Sequence, residues 1–329
     1  MISINFISNK FIPNKLYNYL LEILKNIGQK ENTNNPDFGH YTNAKLLGFG
    51  FHNSYTNKLY LHHIFKGQQF YPKTMVIKKT WVSKNQKLVS DFMNNQTLVV
   101  KPNKGFQGRK VQLTNSISDL ISKIDDKEFW VLQKIIKPKL FNNRKFDLRV
   151  FHIIFKYKNN YYNILTKVGF AKVSVYDYQS NNQQGFVTNI SFNNKIKTDM
   201  KFMYEFFDFM TQLEKDDKQR KKLIKGVYKL IREYSKLLVK KIQQDNKFKN
   251  QPLSQMIIYG PDIIFDKNDN AQLIETNSYP GLLIDGEVIT PIQKVLFKDL
   301  MKKVFIPILQ NKEIKPEVIQ GDLFSIEKI

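Results

Sequence analysis

Residues 144–156 read RKFDLRVFHIIFK, in which charged and apolar side chains alternate before a nearly continuous apolar run. Successive side chains of an extended strand point to opposite faces, so Lys145, Asp147 and Arg149 share one face. The pattern predicts two long strands over 148–174 joined by a short turn. Three charges of mixed sign on one face are compatible with a surface ladder. They are equally compatible with the wall of a nucleotide cleft, where cations meet phosphate oxygens.

A second hairpin is predicted over residues 257–275, with acidic residues in both strands. Asp262 lies within the first strand, and Glu275 and Asn277 end the second strand on a shared side. Two carboxylates and an amide oxygen are the hard donors that Mg²⁺ takes, with phosphates and water completing its octahedron. A surface hairpin is the alternative, but acids flanked by Ile-Ile-Phe and Leu-Ile are poorly explained by solvent exposure.

A glycine-containing loop follows the apolar run at 98–100 and reads KPNKGFQGRKV over residues 101–111. A strand–loop–strand hairpin of this kind can fold over a triphosphate, and Gly105 and Gly108 would allow close backbone approach. The loop lacks the Gly-Lys-Ser/Thr of a Walker motif and the glycine spacing of a Rossmann turn. An ordinary turn is the alternative explanation of this segment taken alone.

Residues 130–138 read WVLQKIIKP, an apolar strand that ends at a proline. Such a strand can present its backbone groups to an adenine edge, as a hinge between two lobes does. A plain core strand explains the same pattern.

Composition limits the class of protein. The chain has 329 residues, a formal net charge of +23, 42% hydrophobic residues and no cysteine. A disulfide scaffold, a thiol nucleophile and a Cys-ligated metal site are therefore excluded. No apolar run approaches the ~20 residues of a membrane-spanning helix. The charge indicates a polyanionic partner, or a lysine coat produced by an AT-rich genome.

The longest helix is predicted over residues 217–243. Apolar residues recur on one face at the helical period, and seven cations lie on the opposite face. Those cations are Lys218, Lys221, Lys225, Lys229, Arg232, Lys236 and Lys240. The cationic face is compatible with a polyanion contact and with a solvated outer face. A last helix is predicted over 290–309, and the tail after residue 310 is predicted to be irregular.

Taken in this order, the segments resemble the ATP-grasp fold and, within it, the tubulin tyrosine ligase-like family of amino-acid ligases. The resemblance runs from about residue 70 to 280. It rests on residues 70–77, 101–108, 133–136, 144–149, Phe186-Val-Thr-Asn189 and Leu273-Ile-Glu-Thr-Asn277. The family fold implies an α+β protein in which two subdomains clasp a nucleotide beside a smaller N-terminal α/β domain. The expected bounds are 1–74, 75–137 and 138–329, with a helical insert at about 200–247.

The resemblance also implies roles for individual residues. Nucleotide binding would involve Lys101, Gly105, Gly108, Gln133, Lys134, Ile135, Ile136, Lys145, Asp147 and Arg149. The implied metal ligands are Asp262, Glu275 and Asn277, and the implied catalytic residues are Arg149, Lys172 and Glu275. Lys172 stands where the family usually has arginine, and Lys58 is the candidate for an N-terminal lysine near the nucleotide.

The expected activity is that of an ATP- and Mg²⁺-dependent carboxylate–amine ligase. It would add glutamate, glycine or tyrosine to an acidic protein, with a tubulin C-terminal tail as the favoured acceptor, through an acyl phosphate. A basic nucleic-acid-binding protein is the first alternative, although no RNP motif, paired Cys/His or helix-turn-helix is present. An inactive relative that binds nucleotide or tubulin is the second. The expected location is cytoplasmic, with association with the cytoskeleton and none with a membrane.

Overall fold

The computed structural model describes most of the chain beyond residue 56, together with short segments before it. The described residues are 3–5, 22, 30–31, 38–40, 47–50, 57–103, 111–179, 183–186, 188, 200–244, 255–277, 290–310, 312–313, 315–316 and 319–329.

A large mixed sheet forms the centre of the described structure. Its strands are β1 Ser3–Asn5, β2 Lys30–Glu31, β3 Phe38–His40, β4 Leu47–Gly50, β9 Phe146–Tyr157, β10 Asn160–Val173, β11 Met203–Glu205, β12 Gln255–Phe265, β13 Ala271–Asn277, β14 Gln320–Gly321 and β15 Phe324–Lys328. The main path runs β14-β15-β10-β9-β12-β4-β3-β1-β2, with β11 beside β10 and β13 beside β12. The part from β15 to β13 is antiparallel, whereas β1 to β4 are parallel.

A second, smaller sheet is antiparallel and lies between residues 74 and 134. Its strands, in the order β5-β8-β6-β7, are β5 Thr74–Ile77, β8 Trp130–Lys134, β6 Leu98–Pro102 and β7 Gln112–Thr114. The β6–β7 pair confirms the strand–loop–strand hairpin that the sequence predicts around the glycine loop. The apolar core of this part includes Val100, Leu120 and Trp130.

The helices described are α1 Lys58–Phe65, α2 Lys79–Lys84, α3 Gln86–Met93, α4 Ile117–Lys123, α5 Gln183–Phe186, α6 Phe206–Leu213, α7 Asp217–Gln244, α8 Thr290–Leu300 and α9 Ile306–Leu309. Asn57 caps α1 and Ser116 caps α4, each with a side-chain oxygen that accepts a backbone N–H. The predicted helix at 217–243 is confirmed as α7. None of these described helices combines the length and the apolar composition that are needed to cross a lipid bilayer.

The two faces of β9 separate two apolar cores. Leu148 and Val150 pack into a core shared with α7, whereas Phe151, Ile153 and Phe155 pack into a core shared with α8. This division follows from the alternation of side chains along the strand. Asp147 and Arg149 precede Phe151 on the same face, so the charged end of β9 faces away from α7.

The C-terminal region differs from its prediction in two places. The predicted helix over 290–309 contains a π-helical turn, Met301–Phe305, between α8 and α9. The predicted irregular tail is wrong in part, because β15 pairs with β10 in antiparallel register. Within β15, only Phe324 and Ile326 are buried apolar residues, which is too few for a periodic signal in the sequence. The strand depends instead on its pairing with β10.

The structure therefore has an α+β fold with one large sheet that is mainly antiparallel and a smaller sheet that is wholly antiparallel. The finer ATP-grasp arrangement and the three domain bounds stay predictions.

Candidate active site

Charged side chains meet on one face of the large sheet, across β10, β9, β12 and β13. The register places Lys172 opposite Asp147, and it places Arg149 opposite Asp262. Asp262 in turn lies opposite Glu275. We call this set the charged row; its members are Lys145, Asp147, Arg149, Lys172, Asp262, Glu275 and Asn277. The sequence predicted every one of these residues as part of the site, and the sheet brings them together.

Arg149 and Lys172 hold the carboxylate of Asp262 between them. Arg149 donates hydrogen bonds of 2.7 Å from Nε and 2.6 Å from Nη2 to the two oxygens, and the Lys172 ammonium donates one of 2.8 Å. Burial alone would raise the pKa of Asp262, but the charges of Arg149 and Lys172 hold it well below its usual range. Burial alone would likewise lower the pKa of Arg149, but the nearby carboxylates, Asp262 first, hold it above its usual value.

Asp147 forms the second ionic centre of the row. Lys145 donates a hydrogen bond of 2.7 Å to one oxygen of Asp147, and Lys172 lies 4.0 Å from the other. The hydroxyl of Thr188 also donates to Asp147. The Lys145 ammonium lies 5.2 Å from the centre of the Phe186 ring, within the range of a cation–π contact. The short segment that contains Phe186 and Thr188 therefore fixes the positions of Lys145 and Asp147.

A β-bulge in the β12–β13 pair turns Glu275 toward the charged row. Asp262 pairs with Glu275, whereas the next residue of β12 pairs with Leu273, so Ile274 is an extra residue. Leu273 is buried in the core under α7. In a regular strand Glu275 would share the face of Leu273, and the bulge reverses this. Asn277, two residues further, donates its amide N–H to Asp262 at 3.3 Å.

Lys101 approaches the row from the second sheet. Its ammonium donates to the Gln133 side chain at 3.0 Å, and Gln133 in turn donates to Thr74 at 3.0 Å. Burial lowers the pKa of Lys101 to about 8; the charge of Glu275 opposes this shift and that of Lys58 adds to it. Lys101 is thus within electrostatic reach of the row, and so is Lys58, the candidate N-terminal lysine.

Other predicted nucleotide-binding residues lie elsewhere or are not described. The side chain of Lys134 donates to the backbone oxygen of Met93 and to Gln96, so it points toward α3 rather than toward Lys101. Ile135 and Ile136 are half-buried residues directly after β8. Gly105 and Gly108 fall outside the described residues, as does Asn189.

Gly169 allows β10 to come very close to β9 beside Arg149. A Cβ atom at this position would overlap the backbone oxygen of Arg149 and lie 2.9 Å from the Cα of Val150. Both are backbone atoms of a central strand and cannot move aside cheaply. The absence of a side chain at Gly169 therefore sets the spacing between the strands that hold Arg149 and Lys172.

The donor set of the row suits a hard divalent cation. Asp262, Glu275 and Asn277 occupy adjacent positions of two paired strands and offer two carboxylates and an amide oxygen. Asn277 uses its N–H groups toward Asp262 and the Gly260 backbone oxygen, so its own oxygen can serve as a ligand. Within the described ranges, no group of three His, Asp or Glu side chains forms a fuller metal site. By residue type the set suits the predicted Mg²⁺, which would compete with Arg149 and Lys172 for the Asp262 carboxylate.

Three contributors to the site were not predicted as site residues: Thr74, Phe186 and Thr188. The segment Phe186-Val-Thr-Asn189 is part of the family resemblance. That motif could have suggested Thr188 as a hydroxyl partner for the buried carboxylate of Asp147. Thr74 gives no comparable signal, because its contact with Gln133 spans two strands of the second sheet.

Comparisons with known proteins identify the family of this chain. The model of the family described as "Tubulin-tyrosine ligase family" matches residues 33–314. "Tubulin glycylase 3C" of Tetrahymena thermophila is 27% identical over 225 residues, which is 63% of this chain and 20% of that protein. A "Probable beta-tubulin polyglutamylase" of the same organism is 23% identical over 300 residues, covering 79% of this chain and 23% of the relative. "Tubulin polyglutamylase ttll-5" of Caenorhabditis elegans is 22% identical over 236 residues, covering 66% of this chain and 31% of the relative.

This chain thus spans between a fifth and a third of the length of these relatives. The family match, in contrast, extends over most of the chain and includes every member of the charged row. The chain belongs to the tubulin-tyrosine ligase family.

Proposed function

We propose that the protein is an ATP-dependent ligase that joins an amino acid to a carboxylate of an acidic protein. The acceptor we favour is a tubulin tail, because the relatives are named as tubulin glycylases and polyglutamylases. Their names make glycine and glutamate the first amino acids to test, with tyrosine as the third.

The observation that supports this proposal best is the surplus of buried cations at the site. The cations are Lys101, Lys145, Arg149 and Lys172, and the carboxylates are Asp147, Asp262 and Glu275. The four cations, Asp147 and Asp262 are buried and Glu275 is half-buried, so the cations are in excess and are costly to bury without a further anion. A polyphosphate would complete the balance, which is the reason to place the nucleotide phosphates here.

Arg149 is suited to stabilise charge that develops on a transferring phosphoryl group. Its guanidinium is fixed by Asp262 through two N–H groups, which leaves three N–H groups for a ligand. Because the fork is already oriented, little reorganisation is needed when the phosphoryl group moves. Lys172, buried beside the same carboxylate, adds a second fixed positive charge.

Lys101 would contact the phosphates from the second sheet, and its orientation is set by Gln133 and Thr74. Asp262, Glu275 and Asn277 would hold Mg²⁺, which when bound neutralises charge on the phosphate oxygens. The site thus offers alignment and charge neutralisation rather than a protein nucleophile, consistent with a chain that has no cysteine.

The proposed reaction has two steps. An oxygen of the acceptor carboxylate attacks the γ-phosphorus of ATP, the bond to ADP breaks, and an acyl phosphate forms. The amine of the free amino acid then attacks the acyl carbon, phosphate leaves, and the amine releases a proton as the amide forms.

The test is incorporation of labelled glycine, glutamate or tyrosine into purified tubulin by the purified chain, with and without ATP. The proposal requires incorporation that depends on ATP. Absence of incorporation of all three, by protein that binds ATP, would favour an inactive relative instead.

A further inference from the structure

The outer face of α7 concentrates the positive charge of the protein. The helix has 28 residues, with ten Lys or Arg and two acidic residues, so it has a net charge of +8 out of +23 for the chain. The exposed cations lie within one arc of the helix, which we call the lysine face. They are the seven cations that the sequence predicts on this face together with Lys222: Lys218, Lys221, Lys222, Lys225, Lys229, Arg232, Lys236 and Lys240. From Lys218 to Lys240 the face is about 33 Å long at 1.5 Å per residue.

Few acidic residues neutralise this face. Among the described residues, Lys221 is paired with Asp217 at 2.6 Å, Arg232 is paired with Glu327 of β15 at 2.7 Å, and Lys229 lies 3.9 Å from Glu233. Lys222, Lys225, Lys236 and Lys240, in contrast, form no ion pair with any residue that the structure describes.

The spacing of these cations opposes the stability of the helix. Lys218 and Lys222, Lys225 and Lys229, and Lys236 and Lys240 are separated by four residues and repel each other by a few tenths of a kcal/mol per pair. The helix is stabilised instead by its apolar face, where residues such as Leu223 and Tyr234 are fully buried. Arg232 joins the helix to β15, but Lys222, Lys225, Lys236 and Lys240 do not stabilise the described structure through ion pairs.

The lysine face is separate from the active site. The apolar side of α7 packs against the face of the sheet that carries Leu148 and Val150. Asp147 and Arg149 lie on the opposite face, because side chains alternate along β9. A carboxylate that reacts beside Arg149 cannot at the same time lie on the lysine face.

We infer that the lysine face is a second docking surface for an acidic, glutamate-rich protein segment, distinct from the segment that reacts. The inference rests on the proposed function for the acidic character of the substrate. A long row of cations complements an extended acidic segment, and a substrate with several such segments can occupy both surfaces. Binding at the lysine face would raise the local concentration of acceptor carboxylates at the site.

The test compares two variants with the same loss of charge. The first changes Lys222, Lys225, Lys236 and Lys240 to Gln. The matched control changes four exposed lysines on other elements, Lys84, Lys87, Lys127 and Lys302, to Gln. Binding of fluorescent poly-L-glutamate and of ATP is measured for both variants and for the unchanged chain, at increasing salt concentration.

We expect the lysine-face variant to bind poly-L-glutamate about tenfold more weakly, with a flatter salt dependence, and the control to change by less than about twofold. ATP affinity should be the same in all three proteins. Equal losses in both variants, or no loss in either, would overturn the inference. Tight binding of RNA by the lysine face, with no binding of poly-L-glutamate, would also overturn it.

These outcomes are distinguishable from failure of the proposed function. Amino-acid transfer to a short acceptor peptide tests the site alone and should be the same in both variants. If only the lysine-face variant loses poly-L-glutamate binding, and the unchanged chain shows no transfer activity, the docking surface is retained and the ligase is rejected.

Discussion

Arg149 and Asp262 face each other on neighbouring antiparallel strands, and two hydrogen bonds of 2.7 and 2.6 Å join the guanidinium to the carboxylate. Lys172 donates a third hydrogen bond to the same carboxylate. All three side chains are buried, so each charge depends on the others for its stability. The ionic centre of the site is therefore also an important part of the core of the sheet.

Asp262→Asn should destabilise the fold by about 3–5 kcal/mol at neutral pH, because it leaves Arg149 and Lys172 buried without their carboxylate. The free energy of unfolding, measured with denaturant, checks this value. Glu233→Gln, an exposed change on α7, is the control and should cost less than about 1 kcal/mol. A loss in Asp262→Asn no larger than in this control would contradict the ionic centre.

The same pair predicts a pH dependence. Folding lowers the pKa of Asp262, so its stabilising effect is complete above the usual aspartate value of about 4 and declines as the pH falls below it. The difference in stability between the unchanged chain and Asp262→Asn should therefore be constant near neutral pH and shrink in acid. A difference in stability that grew below about pH 4 would contradict a lowered pKa of Asp262 in the folded protein.

Gly169→Ala should destabilise the fold by about 1–3 kcal/mol and reduce transfer activity, since the added methyl group displaces the backbone at Arg149. Gly226→Ala is the matched control. Gly226 lies in α7, where the nearest atom to an added Cβ, on Ala271, is at an ordinary 4.0 Å. That change should raise stability by up to about 1 kcal/mol through helix propensity. Thermal unfolding of both variants measures these changes. A Gly169→Ala variant as stable as the unchanged chain would contradict the close approach of β10 to β9.

Glu275→Gln should reduce turnover by about 100-fold or more, because it removes a carboxylate from the proposed metal set. Glu275 is only half-buried, at the end of β13, so the melting temperature should change little. Glu313→Gln, an exposed change outside the row, should have no effect on the rate. Turnover of Glu275→Gln at the rate of the unchanged chain would reject the metal assignment.

Lys101 should cause proton uptake when ATP binds at alkaline pH. Burial lowers the pKa of this lysine to about 8, so above that pH the free protein holds it mainly neutral, whereas a bound polyphosphate favours the charged form. Calorimetry at about pH 9 in buffers of different ionisation enthalpy measures the uptake. In Lys101→Arg the side chain remains charged at this pH, so the uptake should disappear. Equal uptake in both proteins would assign the proton to another group.

Local patterns in the sequence predicted much of this structure. Alternation placed Asp147 and Arg149 on one face of β9, with Lys145 directly before the strand. Helical periodicity separated the apolar and cationic sides of α7, and its predicted bounds are nearly correct. Both features depend on residues close together in the chain, which is why the sequence is sufficient for them.

Features that depend on pairing between distant segments were not predicted. The sequence gives no sign that Asp262 would be bound by both Arg149 and Lys172, because three separate strands must first align. The bulge at Ile274, which turns Glu275 toward the row, is likewise a property of the pair of strands. The C-terminal strand β15 was missed for the same reason, since its partner lies over 150 residues earlier.

The proposed ligase transfers an amino acid to a carboxylate of an acidic protein. The most direct measurement is mass spectrometry of tubulin after incubation with the purified chain, ATP and a mixture of glycine, glutamate and tyrosine. Tandem fragmentation then locates any addition. We expect tail peptides whose mass has increased by an amino-acid residue, only when ATP is present and not with Glu275→Gln. Unmodified tails after incubation with ATP, or additions that also form without ATP, would contradict the proposal.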